Sequence, residues 1–426
     1  MLGCGHGRLP DQAGRAGRSA RDADPSRAPP RRDGLRRRGA SSNARRGASV
    51  MRAGRRAVVR TAMAMFALTG LCAAFGASVA ASSPRGSDER LALYPTTART
   101  LPDGRLALRI DAWVYERERR PGARTLLARY LKLDREALTE SQRARFDATT
   151  QWFRADSERG KTVRIVDAHG SGYTLPKTDA HGRSGAELTL PLAAADDAMW
   201  VTVRGALLAK DRSERGTPIV GRALRVPPTG ISLVTDIDDT IKDSRVLDRR
   251  ELLLNTFVRP FAAVSGMAAR YREFAAANPD LRVHYVSGSP HQLHAPLSEF
   301  LQVERFPGGS LHLRDIDIAR EIFGEKNAEA GGTRGHKLKT IRRLMADFPA
   351  RRFVLIGDSG EQDPEIYAAL AREYPDRVLA IWIRDVTGQP RAHARYGKAF
   401  AGVDPARWRL FVDSAELALP DAFASR

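Results

Sequence analysis

The chain has 426 residues, enough for two folded domains plus extensions, and carries a net charge of +20. Only two cysteines are present, Cys4 and Cys72, which excludes a disulfide framework or thiolate metal centre as the organising chemistry. Twelve of the twenty net charges sit in the first 80 residues, which hold 16 Arg and 4 Asp, so nucleic acid is not an expected partner of the remainder. The remaining +8 favours anionic partners such as phospholipid surfaces, although Arg dominance is equally what a GC-rich genome produces.

Residues 1–50 carry clusters such as Arg31-Arg32 and Arg36-Arg37-Arg38 among Gly, Ala, Ser and Pro, with almost nothing apolar to bury. They read as a basic disordered arm, or as a stretch ahead of a true start at Met51. The second reading is favoured because residues 51–81 form a complete export signal. Arg52, Arg55, Arg56 and Arg60 precede an uncharged run over 61–83 that passes through Ala77-Ser78-Val79-Ala80-Ala81. Cleavage after Ala80 or Ala81 would send a cysteine-free protein to the periplasm or beyond. An uncleaved membrane anchor is the alternative, since the run is long enough to span a bilayer.

Residues 88–226 read as a small, mostly-β accessory domain. Leu106, Leu108, Ile110, Ala112 and Val114 alternate with Arg109, Asp111 and Trp113, the period of a half-buried strand. Further strands are expected at 163–166, 187–192, 199–204 and 219–226. Between the first two, Thr139 and Gln142 form a capping box, followed by Phe146, Thr150 and Phe153 at helical spacing. Two Asp-Ala-His-Gly tracts, at 167–170 and 179–182, read as turns. Their histidines, His169 and His181, are then solvated rather than a metal pair. The pattern suggests a sandwich with a helical insert and no catalytic constellation.

Residues 227–390 carry the chemistry. After the turn-forming Pro227-Pro228-Thr229-Gly230, the apolar run Ile231–Thr235 reads as a buried strand delivering Asp236, Asp238, Asp239 and Thr240 into a loop. Three acids in four residues repel one another, and no fold needs them there. Phosphoryl transfer does: one carboxylate attacks phosphorus, a second moves the proton, and a cation neutralises the cluster. A calcium loop fits poorly, because Ile241 and Leu247 stand where Gly and Glu would be required. A helix is expected over 257–277. The strand from Arg282 runs into Ser287 and Gly288, where a hydroxyl and backbone N–H groups can meet a phosphoryl oxygen. Gly335-His336-Lys337 opens a helix with Leu338, Ile341, Met345 and Phe348 on its core face. Lys337 would lie in its first turn, where a cation opposes the helix dipole. The run from Phe353 ends in Asp358 and Asp363, spaced G-D-x-x-x-x-D, which offers hard oxygen ligands for Mg²⁺. A helix over 364–374 and a strand over 378–383 follow. Strands alternating with helices predict an α/β doubly wound parallel sheet with every acidic loop at a strand's carboxyl end. The tail, residues 391–426 with Trp408, Phe411 and Val412, reads as a packing helix.

The D-x-D-x-T spacing of Asp236, Asp238 and Thr240 resembles the nucleophile motif of haloacid dehalogenase (HAD) phosphatases. More narrowly, D-I-D-D-T-I-K at 236–242, Y-V-S-G-S-P at 285–290, H-K at 336–337 and I-G-D-S-G-E-Q-D-P-E-I-Y at 356–367 resemble the App1 type of phosphatidate phosphatase catalytic domain, over residues 230–386. The resemblance implies Mg²⁺-dependent hydrolysis of phosphatidate to diacylglycerol and phosphate at a membrane surface, with no cofactor beyond the metal. It implies that Asp236 is the nucleophile, that Asp238 is the acid and base, and that Thr240 steadies the loop. Ser287 and Lys337 would hold the phosphoryl oxygens. Asp236, the carbonyl of Asp238, Asp358 and Asp363 would surround the metal. Only 42 residues separate Thr240 from Val283 and 47 separate Ser289 from Lys337, so no large cap is expected and the site should be open. A phosphoprotein or polynucleotide phosphatase with the same machinery, and a non-catalytic surface-binding protein, are the competing readings.

Overall fold

The computed structural model describes residues 88–117, 132–194, 199–315 and 332–419, together with Thr125, Ala128 and Arg129. The basic arm, the export signal and both cysteines lie outside the described residues. Among the described residues, no helix is long and apolar enough to cross a membrane.

The accessory strands are β1 (Glu89–Thr100), β2 (Leu106–Glu116), β3 (Asp156–Ser157), β4 (Thr162–Val166), β5 (Gly172–Thr174), β6 (Arg183–Leu190), β7 (Trp200–Leu208) and β8 (Glu214–Val226). Instead of the expected sandwich they form one sheet, ordered β3-β2-β1-β8-β7-β4-β5, with β6 also paired to β2. Residues near both ends of that order share one core, including Leu108, Ile110, Leu188, Val163, Ile165 and Val201, so the sheet curls around it. Strand β1 escapes the sequence pattern because its register shifts between Pro95 and Ala98, which breaks the alternation. The capping box is present at the start of α1 (Glu140–Thr150). Both Asp-Ala-His-Gly tracts are turns, in which Asp167 and Asp179 accept backbone N–H bonds while His169 and His181 stay exposed.

The second sheet contains β9 (Ile231–Thr235), β10 (Arg282–Pro290), β11 (Gly309–Arg314), β12 (Arg352–Asp358), β13 (Val378–Arg384) and β14 (Trp408–Phe411). Every pairing in it is parallel, and the spatial order is β11-β10-β9-β12-β13-β14. Both faces are covered. Val234, Leu355 and Ile383 pack against Ile341 and Leu344 of α5 (Gly332–Asp347) and Ile366 of α6 (Asp363–Glu373). Leu233, Val283 and Ile356 face Met267 and Phe274 of α3 (Met267–Ala277) and Leu297 of α4 (His294–Val303). Burial on both faces explains why these strands read as unbroken apolar runs. The chain moves to one side of β9 and then returns to its other side as β12. The carboxyl ends of β9 and β12 are therefore neighbours at the point where an open α/β sheet forms its crevice.

Three expectations are corrected. The helix expected over 257–277 is two, α2 (Arg249–Phe257) and α3, because Pro260 lacks a helical N–H and Gly266 takes φ +74° just before α3. Helix α5 starts at Gly332, so Lys337 lies beyond its first turn. The tail holds the short helix α7 (Ala394–Ala399) and then β14, whose Trp408 and Phe411 are buried while Val412 is 69 % exposed. Connections around the site are short. That from β9 to β10 holds α2 and α3; that from β10 to α5 holds α4 and β11, with 316–331 outside the described residues.

The domains share a core, since Leu224 and Val226 of β8 pack with α5 and with strands of the parallel sheet. At the amino ends of the strands, buried Arg351 donates to the carbonyls of Pro227, Thr229, Ile231 and Asp280 and to Ser232 Oγ. His284 sits between Ser232 Oγ, at 3.2 Å, and Ser310 Oγ, at 2.7 Å, and Ser310 reaches His312 at 2.8 Å. Burial pushes His284 down to about 3 and His336 down to about 4, and holds His312 well below the usual imidazole range. Between those folded values and the roughly 6.5 of a free histidine, the unfolded chain binds more protons. Stability is therefore expected to be full above about pH 6.5 and to fall as pH drops toward 4. Each such histidine contributes up to about 1.4 kcal/mol per pH unit. Urea unfolding at pH 8, 6 and 5 measures this; a level midpoint would contradict buried, neutral histidines.

Candidate active site

The three acids after β9 have three different surroundings. Asp236 is fully buried, with Oδ2 accepting from Thr240 Oγ1 at 3.3 Å and Oδ1 2.8 Å from Lys337 Nζ. Asp238 points the other way: Oδ1 meets Lys242 Nζ at 2.9 Å and Ser244 Oγ at 2.6 Å, and Oδ2 meets Ser289 Oγ at 2.7 Å. Asp239, at φ +54°, accepts the backbone N–H groups of Ser244, Arg245 and Val246 and so pins the loop shut. Between them, Ile237 and Ile241 are buried in the core, which fixes which acids turn inward. Arg384 donates to the Asp239 carbonyl at 2.7 Å and ties the loop to β13.

Lys337 has no exposed surface. Its ammonium lies 2.6 Å from Asp363 Oδ1 and 3.1 Å from Glu361 Oε2, besides the contact with Asp236. Burial opposes its charge, but Asp236, Asp363 and Glu361 overcome that and hold its pKa well above the usual lysine range. The acids are not satisfied in return. Burial, with repulsion from Asp363, Glu361 and Asp358, pushes Asp236 well up despite Lys337. Burial and Asp363 do the same to Asp358. One ammonium among four carboxylates leaves the site short of positive charge. Asp238 is the contrast: burial alone would raise it, yet Lys242, Ser244 and Ser289 hold it well below the usual carboxylate range.

Asp358 ends β12, and its Oδ1 accepts the N–H groups of Gly360 and Glu361 at 2.6 and 3.0 Å. Its Oδ2 is buried and accepts no hydrogen bond. Neither does Asp236 Oδ1, because Lys337 contacts it as an ion pair outside hydrogen-bonding geometry. Asp236, Asp358 and Glu361 each present a carboxylate oxygen, all within 4.8 Å of one another. Two orphaned buried oxygens among hard donors fit a divalent cation. Asp363, expected beside that cation, is otherwise engaged: Oδ1 by Lys337 and Oδ2 by the Asp358 N–H at 3.3 Å.

The seven residues expected from the sequence thus fall into two adjoining groups, Asp236, Thr240, Lys337, Asp358 and Asp363 in one and Asp238 with Ser287 in the other, joined through the loop after β9. Ser287 Oγ lies 3.4 Å from Asp238 Oδ2 and accepts the Ser289 N–H at 2.9 Å. Lys242, Ser289 and Glu361 were not assigned roles by sequence reasoning. The signal for Lys242 was its place four residues after Asp238, where a tight loop brings the two side chains together.

Residues 231–385 match the family model for the catalytic domain of phosphatidate phosphatase APP1. Phosphatidate phosphatase APP1 of Saccharomyces cerevisiae is 34% identical over 162 residues, covering 37% of this chain and 26% of the yeast protein. An uncharacterized protein of Schizosaccharomyces pombe is 37% identical over 161 residues, 37% of this chain and 25% of its own length. The alignments thus span about a quarter of these relatives. A β-glucuronidase from Ruminococcus gnavus aligns over 70% of this chain and 47% of its own at 10% identity, with a TM-score of 0.23, too low to bear on fold or function.

Lys337→Met removes the only ammonium in contact with Asp236 and Asp363 among the described residues. Breaking a buried pair from one side is expected to destabilise the fold by about 3–5 kcal/mol. Urea unfolding of the variant measures this, and an unchanged midpoint would show that Lys337 does not compensate these acids.

Proposed function

We propose, from the App1-type phosphatidate phosphatase catalytic domain at residues 231–385, that this protein is an Mg²⁺-dependent phosphatase converting phosphatidate to diacylglycerol and phosphate. The observation that carries the reading is a pair of unlike carboxylates two residues apart at one strand end. Asp236 is buried against Lys337, and Asp238 is held apart from it by Lys242 and Ser289. That division suits a nucleophile and a proton carrier. An HAD-like, doubly wound arrangement is supported by the parallel pairing, by the strand order and by helices on both faces.

In this mechanism Asp236 attacks phosphorus and the ester P–O bond breaks, leaving an aspartyl-phosphate, while the departing alkoxide takes a proton from Asp238. Water then attacks the phosphoryl group and gives its proton to Asp238. Asp236 leaves as a carboxylate, and inorganic phosphate is released. Lys242, Ser244 and Ser289 hold Asp238 in its ionised form, which suits the second step. For the first, a phosphate dianion brought beside it raises its proton affinity by charge repulsion. Ser287 offers its hydroxyl to phosphoryl oxygens, Thr240 fixes one oxygen of Asp236, and Lys337 keeps that carboxylate oriented. Asp236, Asp358 and Glu361 would hold Mg²⁺, with Asp363 bracing Lys337 behind them. Bound there, the cation supplies the missing positive charge and draws electron density from the phosphoryl group.

The lipid substrate is supported by the activity for which the yeast relative is named and by the short connections around the site, which suit a headgroup presented on a surface. The export signal expected at 51–81 would place the reaction outside the cytoplasm.

The test is phosphate release from phosphatidate in mixed micelles, with Mg²⁺ and with EDTA. EDTA is expected to stop turnover, and Asp236→Asn to lower it by more than about 10³-fold with folding intact. Activity retained in Asp236→Asn would remove the nucleophile assignment. Turnover of p-nitrophenyl phosphate without phosphatidate would keep the chemistry and discard the lipid. Release from phosphopeptides or 5′-phosphorylated DNA instead would reassign the substrate, and silence on all of them would favour a binding role.

A further inference from the structure

Helix α7 lies beyond the residues matched by the catalytic-domain family, yet one of its side chains reaches into the acidic turn after β12. Arg395 donates through one terminal nitrogen to the carbonyl of Ser359 and through the other to the carbonyl of Glu361. The same guanidinium grips the Glu365 carboxylate with Nε at 2.8 Å and a terminal nitrogen at 3.0 Å. The side chain is about three-quarters buried, at 24 % exposure, and the Glu365 pairing holds its pKa above the usual range. Its charge is permanent across any working pH.

The peptide between Ser359 and Gly360 is the link to the chemistry. Its carbonyl oxygen is held by Arg395, and its N–H donates to Asp358 Oδ1 at 2.6 Å. A peptide unit is planar, with its C=O and N–H directed oppositely, so fixing one end fixes the other. A guanidinium on the carbonyl also polarises the amide and strengthens its N–H as a donor. With Oδ1 claimed in this way, Asp358 keeps Oδ2 buried and without a donor, and one of its carboxylate oxygens lies within 4.8 Å of those of Asp236 and Glu361. The second carbonyl that Arg395 holds belongs to Glu361 itself. The turn is packed too closely to carry a side chain at Gly360, where a Cβ would come within 2.9 Å of both Asp358 Oδ1 and Val246 Cγ2.

We propose that Arg395 is a positioning residue for the divalent-cation site: by clamping the carbonyls of Ser359 and Glu361, it sets the Asp358 and Glu361 carboxylates in the arrangement that binds the metal. This inference rests on the metal reading under Proposed function and adds a contribution from outside the matched domain. Arg395 touches neither substrate nor the reacting atoms.

The test is direct titration of the full chain with Mn²⁺, following free Mn²⁺ by electron paramagnetic resonance, alongside thermal unfolding. Arg395→Met is expected to weaken Mn²⁺ binding at least tenfold, the usual consequence of removing an outer-shell support. Arg395→Lys, with a single nitrogen in place of the fork, should fall between it and the wild type. Glu365→Gln removes the carboxylate that aims the guanidinium; it should shift binding in the same direction by a smaller factor, and it serves if Arg395→Met does not fold. Arg395 acting only as a structural brace would lower the unfolding temperature and leave the Mn²⁺ affinity of the folded variants at the wild-type value, which would overturn the proposal alone. A wild type that binds no Mn²⁺ would overturn the metal reading, and the proposal with it.

Discussion

One ammonium group faces an excess of buried carboxylates where β9 and β12 end side by side. Lys337 is in contact with Asp236, Glu361 and Asp363, and Asp358 lies just behind. Neither burial nor hydrogen bonding removes the imbalance, because Asp236 Oδ1 and Asp358 Oδ2 are left without donors. Such a cluster persists only where surrounding packing supports it, and its unmatched oxygens are of the kind that hold a divalent cation. The rest of the domain provides that support: a sheet with helices on both faces, Ile237 and Ile241 driven into the core, and Asp239 spent on three backbone N–H groups.

The division of labour among adjacent acids follows from the loop, not from the residue type. Asp236 and Asp238 are chemically identical side chains two residues apart. Burial and the neighbouring carboxylates raise the proton affinity of the first beyond what Lys337 offsets; Lys242, Ser244 and Ser289 outweigh the same burial at the second and hold it ionised. Folding rather than composition makes these two identical side chains chemically unlike.

Much of this was legible beforehand, because the parallel sheet writes itself as short apolar runs ending in Gly, Ser or Asp. Ile231–Thr235 is a strand with those bounds, and the expected site residues lie in the loop after β9, within β10, at the end of β12 and in the helices α5 and α6. What was not legible depends on distance through space. Glu361 and Asp363 are acids two residues apart, and only the fold shows that Lys337 and the Asp358 N–H occupy both oxygens of Asp363 while Glu361 offers one beside Asp236 and Asp358. Lys242 gains a role only when the loop folds it onto Asp238. In the accessory domain, β1 was hidden by the irregularity between Pro95 and Ala98. The curl of its sheet depends on which edges share a core, which a period of two does not specify.

Leu224 and Val226 belong by sequence to the accessory domain and by packing to the core beneath α5. Residue 231 is thus where the match to the APP1 catalytic-domain model begins, while the core of that region includes chain on its amino-terminal side. A fragment cut at that point would expose the apolar surface these two side chains cover, inviting self-association through it. The accessory sheet is in this sense part of the catalytic domain's interior, whatever else it contributes.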